Sequence, residues 1–192
     1  MPSSCHSDVR AIQDTTRRQL ILAMGAAGLL LLGGQSRAAT FLSAAEAREL
    51  MFPGKAFIPN NVQLSAIERA AIKAASKARV RSKELKAWRS AEGDWFLLDQ
   101  VIGKHEFIDY AVGFNPRGEV VGVEVLTYRE SYGSEVRNPR WRAQFHGRDY
   151  REQLELNKQI KNISGATLSC QHITEGINRL AATWAEVLSK RL

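Results

Sequence analysis

Apolar positions change their period several times along the chain. Leu20 to Leu32 is an unbroken apolar run of 13 residues. Two Ser-x-x-Glu patterns follow, Ser43 to Glu46 and Ser65 to Glu68. Each is a capping-box signature, in which the serine accepts from a backbone N–H three residues on and the glutamate reaches back. The first predicts a short helix running to about Met51, stopped by Phe52-Pro53-Gly54. The second predicts a helix over 65–78, with Ile67, Ala71, Ala74 and Ala78 at helical spacing.

From Trp95 the period shortens. Trp95–Ile102, His105–Phe114 and Glu119–Tyr128 read as strands, with Val121, Val123, Val125 and Thr127 expected on one face. Asn115-Pro116-Arg117-Gly118 is a strong turn, because proline presets φ at its second position and glycine relaxes its fourth. It joins the last two runs into an antiparallel hairpin, and Gly103-Lys104 links the first run as a third strand. Residues 128–147 read as a loop with two aromatic anchors, Trp141 and Phe145. Residues 149–160 are compatible with a helix. The chain closes on an amphipathic stripe, Ile173, Ile177, Leu180, Trp184, Val187 and Leu188, which predicts a final helix.

These elements predict an α+β fold, an antiparallel sheet packed with helices, as a single domain after an N-terminal export signal. The expected divisions are a signal over 1–38, a helical segment over 39–93 and the sheet-bearing domain over 94–192. The chain has 192 residues, 44% hydrophobic and 24% charged, with 27 Lys+Arg against 20 Asp+Glu. Those fractions are those of a globular protein and exclude a disordered tail or a multi-span membrane protein. Two cysteines without a Cys-x-x-Cys spacing exclude a disulfide scaffold and a Cys₄ zinc site. The four histidines, His6, His105, His146 and His172, have no metal-ligand spacing.

The N-terminal run has a specific reading. Arg17-Arg18-Gln19-Leu20-Ile21 precedes it, and Ser36-Arg37-Ala38-Ala39 follows. Paired arginines, a short apolar core and a small-x-Ala end are the parts of an export signal, here of twin-arginine type. As a helix the run would reach about 20 Å, short of the roughly 30 Å hydrocarbon core. Cleavage is expected near Ala38 or Ala39, giving a periplasmic protein. An uncleaved N-terminus anchored in the inner membrane is the alternative. Cleavage would remove four arginines and two aspartates and leave Cys170 as the lone cysteine.

The stretch 73–89 holds seven basic side chains against Glu84 alone. It reads either as a contact for a membrane surface or acidic groups, or as a solvated helix flank and loop. Nucleic acid is not the expected partner of an exported protein.

The segment that carries chemistry is Ser164-Gly165-Ala166-Thr167-Leu168-Ser169, just ahead of the final helix. Small residues let a ligand approach the backbone. A helix N-terminus offers free N–H groups and the positive end of its dipole, which suit a phosphate. Thr167 adds a hydroxyl there. From the residues alone a plain helix cap made of small residues is preferred to an anion site. No Ser-His-Asp order or paired carboxylates argue for hydrolysis. Cys170 reads as a buried thiol, and Trp141 and Phe145 read as core aromatics or as flanks of a planar ligand.

Ser164-Gly-Ala-Thr167 followed by x-Ser resembles the flavinylation motif of the FMN-binding domain family. That family includes the C subunit of the sodium-pumping NADH:quinone oxidoreductase, the Rnf G subunit, the extracytoplasmic domain of NosR regulators and small exported flavoproteins. The resemblance extends to Arg129-Glu-Ser-Tyr-Gly-Ser-Glu-Val136, to Asn138-Pro139-Arg-Trp141 and to Gln144-Phe145-x-Gly147, and covers roughly 94–188. It implies FMN esterified through its phosphate to Thr167 by a flavin transferase. It places Ser164, Gly165, Ala166, Leu168 and Ser169 around the attachment point, with Glu130, Ser131 and Gly133 lining the flavin. Lys161 stands where the family often has Asp, and the loop lacks the Thr-Pro-Gly of Rnf-type subunits. The function implied is an exported electron carrier serving a membrane-bound electron-transfer protein. The alternative is a non-catalytic sensing or assembly module that binds FMN.

Overall fold

The computed structural model describes residues 39–191, which lie within one compact unit, Ser36–Leu192. The expected signal over 1–38 lies outside the described residues. The elements are β1 (Ala39–Thr40), α1 (Ala44–Met51), β2 (Phe57–Pro59), β3 (Val62–Gln63), α2 (Ala66–Ser76), β4 (Glu84–Ser90), β5 (Trp95–Ile102), β6 (Phe107–Phe114), β7 (Val120–Tyr128), α3 (Pro139–Arg142) and α4 (Thr167–Glu186). They make an α+β domain around a seven-stranded antiparallel sheet. The strand order is β1-β7-β6-β5-β4-β2, with β3 also on β4.

Both capping boxes form. Ser43 and Ser65 each accept from the N–H of the glutamate three residues on, at 3.2 Å, and each glutamate carboxylate accepts from the serine N–H at 2.7 Å. The second helix ends at Ser76, two residues short of Ala78, because Lys77 adopts a left-handed φ of 57° as its C-cap.

Residues 39–93 supply strands as well as helices. β4, which the sequence did not announce, pairs with β5 from Lys86↔Leu98 to Arg89↔Trp95. The charged side chains Glu84, Lys86 and Arg89 mask its alternation, whereas Leu85 and Ala87 are buried. Along its outer edge β2 and β3 act as one interrupted strand. Pro59 sits on this edge, where its missing N–H costs no ladder bond.

Helices cover the two faces unequally. α4 and α2 pack on one face over Trp95, Leu97, Ile108, Tyr110, Val112, Phe114, Val123 and Val125. α1 covers part of the other, where Ala47 and Phe52 meet Phe96, Ala111 and Leu126. A Cβ at Gly113 would collide with Phe52, and one at Gly122 would press on Met51 at 3.0 Å, so this glycine pair lets α1 close on the sheet.

The alternation expected along β7 is broken twice. Gly113 pairs with Gly122 but Phe114 with Val120, and Asp109 pairs with Thr127 but Tyr110 with Val125. Val121 and Leu126 are therefore the extra residues of two bulges. Val123 and Val125 face α4, Val121 packs with the α1 cluster, and Thr127 shares the face of Asp109. Residues 149–160 are not helical. The Asn178 side chain on α4 accepts from Leu154 N–H at 3.0 Å and donates to its carbonyl at 2.8 Å. Asn157 is left-handed at φ 65°, and Leu156 bridges to Ile160. The final helix ends at Glu186. Val187 is its C-cap, and Leu188 begins a 3₁₀ turn.

A polar cluster locks α4 onto the sheet at mid-length. Asp99 accepts from Tyr110 Oη at 2.8 Å and from Arg179 Nη2 at 2.5 Å, and Arg179 Nη1 reaches the Arg79 carbonyl at 3.2 Å. Burial first, then the Asp99 charge, pushes the Tyr110 hydroxyl well above the ordinary phenol value, so it stays a donor. Gly176 lies directly over Tyr110 Oη, where any Cβ would collide. Arg179→Met should cost about 3 kcal/mol, because it strands Asp99 beside a buried phenol. Urea unfolding measures this. A double variant with Asp99→Asn should recover part of the loss, and a single variant as stable as the parent would show the pair to be dispensable.

Candidate functional site

The Ser-Gly-Ala-Thr segment folds as a tight turn that runs into α4. Ala166 N–H bonds to the Ile163 carbonyl at 3.0 Å, and Gly165 at the third turn position has φ +86°. That is the position where a type II turn requires glycine. Ala166 is buried and is the N-cap, but it has no side-chain cap bond. The first N–H groups of α4 therefore lack the capping side chain that would normally take one of them. Thr167, the first helical residue, is exposed. Its Oγ accepts from Asn162 Nδ2 at 2.9 Å, which leaves the hydroxyl hydrogen free to point outward. Asn162 Oδ1 is buried and unpartnered, a polar atom left over beside that hydroxyl.

The loop after β7 packs against this turn. Gly133 has φ +92°, and a Cβ there would meet Tyr128 Oη and come within 3.3 Å of Ala166 Cβ. Tyr128 Oη donates to the Tyr132 carbonyl at 2.5 Å and lies 3.0 Å from Ser169 Oγ. Burial first raises the Tyr128 hydroxyl pKa, with Glu130 and Glu135 adding to the effect against the Ser169 hydrogen bond. This contact ties β7, the loop and the first turn of α4 into one support.

Glu130 points across to the β5–β6 connection. Its Oε1 accepts from His105 N–H at 2.5 Å and Glu106 N–H at 2.9 Å. Burial alone would raise the Glu130 pKa, but the N–H groups of Glu106, His105 and Lys104, with the His105 charge, bring it below the ordinary carboxylate value. His172 Nδ1 lies 3.1 Å from the Gly103 carbonyl and fixes the same connection from α4.

These pieces enclose a cleft of about 680 Å³ lined by Lys104, His105, Glu130, Ser131, Tyr132, Gly165, Ala166, Thr167, Leu168 and Ser169. Seven of the nine residues singled out from sequence line it. Ser164 lies on the exposed turn and Gly133 behind the wall, against Ala166 and Tyr128. Lys104 and His105 were not singled out, because nothing local ties a β-hairpin connection to a motif 60 residues later. Tyr132 lay within the quoted loop, and its 87% exposure is what marks it. Asn162 carried no signal before its amide was seen on Thr167. On the far side of Thr167 a polar cleft of about 570 Å³ is lined by Lys77, Gln153, Asn157, Gln171 and Glu175 among others.

Other candidates fall outside the cleft. Cys170 is fully buried, and burial pushes its thiol pKa up, so it is an unreactive core residue. Trp141 and Phe145 are core aromatics in edge-to-face contact, with ring centroids 5.2 Å apart. Trp141 Nε1 donates to the Lys161 carbonyl at 2.8 Å, and Gln144 Oε1 accepts from Lys161 N–H at 2.8 Å, which fixes the backbone ahead of Asn162. Among the described residues there is no cluster of His, Cys, Asp and Glu fit for a metal, and no helix long and apolar enough to cross a membrane.

The arrangement suits a phosphorylated planar ligand. The cleft volume lies in the range of small-molecule sites, roughly 300–1,000 Å³. A helix N-terminus without a side-chain cap lies at one end, and exposed Tyr132 and Leu168 offer apolar surface beside it. The family model of the FMN-binding domain matches residues 103–182. Among solved structures the chain is similar to the C subunit of the Na(+)-translocating NADH-quinone reductase of Parabacteroides distasonis, at 15% identity over 98% of each chain with a TM-score of 0.44. No curated protein matches the chain.

The Glu130 geometry sets a pH dependence. Its folded pKa lies below the ordinary value of 4.5, so its contribution is complete at neutral pH and is lost as pH falls through the folded value. Glu130→Gln exchanges charge-assisted bonds for neutral ones and should lower amide protection at His105 and Glu106 about tenfold at pH 7. The gap between parent and variant should close under acid. Hydrogen exchange at those two amides checks both statements.

Proposed function

Residues 103–182 form an FMN-binding domain, FMN is its cofactor, and on that premise we propose that the protein is an exported carrier of covalently attached FMN that passes electrons to or from a membrane redox partner. The observation that supports attachment at Thr167 is the combination of an exposed hydroxyl, the uncapped start of α4 and an adjoining cleft. The ester forms between Thr167 Oγ and the FMN phosphorus with net loss of one water, and a flavin transferase is the maturation partner.

Each part of the site has a role in this reading. The first N–H groups of α4 and the helix dipole hold the phosphate. Asn162 orients the Thr167 hydroxyl before attachment. Gly165 and Ala166 keep the backbone low, so that nothing stands between Thr167 and the cleft. Glu130 holds the opposite wall in place, and Ser131, Tyr132, Leu168 and the Lys104-His105 connection offer surface to the ring. FMN supplies the one- and two-electron chemistry, and the protein supplies attachment, orientation and field. A covalent phosphoester keeps the cofactor from diffusing away in a compartment outside the cytoplasm. Export itself rests on Arg17-Arg18, the apolar run and Ser36-x-Ala38.

Two experiments test this reading. After coexpression with the transferase from the same organism, the wild type should gain the mass of FMN less one water. Thr167→Val removes the hydroxyl with little change of shape and should gain nothing, while the lost hydrogen bond from Asn162 costs about 1 kcal/mol of stability. A labelled Val variant overturns the assignment, and a label mapped to Ser164 or Ser169 moves the site. Arg17→Lys with Arg18→Lys should stop export, and an undiminished rate of arrival in the periplasm would exclude the twin-arginine route.

A further inference from the structure

The basic stretch that reads as one unit in the sequence is divided by the fold. Its β4 part is built into the sheet between β5 and the β2–β3 edge, where Arg89 donates to the Arg191 carbonyl at 3.4 Å and lies over the Trp95 ring. The part before β4 is different. Between α2 and β4, Lys77, Arg79, Arg81 and Lys83 are all exposed, while Ala78 is buried and Val80 packs against the main core. From Lys77 to Arg81 outward and inward positions alternate, as they do along an extended chain, and Ser82 and Lys83 are both exposed. The segment is held from beneath by Arg179 on the Arg79 carbonyl at 3.2 Å and by Leu64 N–H on the Lys83 carbonyl at 2.8 Å. Arg79, Arg81 and Lys83 form no ion pair among the described residues, and Glu155, which pairs with Lys158, acts at longer range on Lys77. Six residue steps span at most about 22 Å, so four cations share a strip only a few Debye lengths long.

We propose that this strip, residues 77–83, binds an anionic membrane surface and holds the domain against the bilayer by charge. The chemistry of the strip favours headgroups over other polyanions. A single-stranded nucleic acid needs aromatic platforms between the cations, and the segment contains none. A specific protein interface needs an apolar centre, whereas the exposed positions here are basic except for Ser82. Fixed, outward, unpaired cations without apolar insertion match the attraction of basic segments to anionic lipid, worth about fivefold in partitioning per side chain. The inference does not rest on the flavin.

The test uses the full chain and a triple variant, Arg79→Gln, Arg81→Gln and Lys83→Gln, on vesicles of phosphatidylglycerol with phosphatidylcholine and on vesicles of phosphatidylcholine alone. Sedimentation is read as the ratio of the two partition coefficients, so apolar anchoring by residues before Ala39 cancels. The parent ratio should be large at about 50 mM salt and fall toward one at about 500 mM. The triple variant should lose on the order of a hundredfold of the parent ratio while keeping its thermal midpoint. A parent ratio near one, or a triple variant that retains the parent ratio, overturns the proposal. So does tighter binding to a single-stranded oligonucleotide than to anionic vesicles at equal anion concentration.

Discussion

The position of the first turn of α4 governs the cleft, and that turn is fixed by contacts along the whole helix. At mid-length Gly176 lets the backbone settle over Tyr110, and the Arg179–Asp99 pair sets the helix's rotation. Near the start, Ser169 meets Tyr128 and Ala166 meets the loop at Gly133. A helix held at two levels cannot slide, so Thr167 has one place relative to β7 and to the β5–β6 connection. The requirement is strict, because a reactive hydroxyl displaced by a residue would rotate by about 100° around the helix.

The same contacts explain how polar groups can lie under the cleft. Asp99, Tyr110 and Arg179 satisfy one another, so their burial is offset within the core, and the sheet face beneath α4 stays rigid. At the cleft the opposite holds. Asn162 Oδ1 is unpartnered, the helix cap has no side-chain bond, and Tyr132 and Leu168 are exposed. Unsatisfied polar atoms and bare apolar surface side by side are costly in an isolated fold and are expected where a ligand completes the structure.

The elements with strong local rules were legible in the sequence. Both capping boxes, the Asn115–Gly118 turn, the three central strands and the final helix follow from residue type and spacing. The strand β4 was not, because the charged side chains Glu84, Lys86 and Arg89 within a short run hide a period-two pattern. The helix-compatible 149–160 segment lost to a distant side chain, Asn178, which took both backbone groups of Leu154. The two bulges of β7 escaped for a related reason. A bulge is decided by which residues of the neighbouring strand lie opposite, and a single strand carries no record of that.

At the cleft the division is the same. Residue order alone dictates that Ser164-Gly-Ala-Thr167 starts a helix with a hydroxyl at its positive end, because glycine's conformational freedom and the unpaired N–H groups are local properties. It also dictates that 130–133 is a loop, since Gly133 and its polar neighbours cannot continue β7. Packing, and nothing local, turns Glu130 to the 103–106 connection, gathers Lys104, His105 and Tyr132 on a shared wall, and brings Asn162 to Thr167. Most of these contacts join segments tens of residues apart. Their distances are set by strand register and helix rotation, which exist only once the sheet and α4 are packed together.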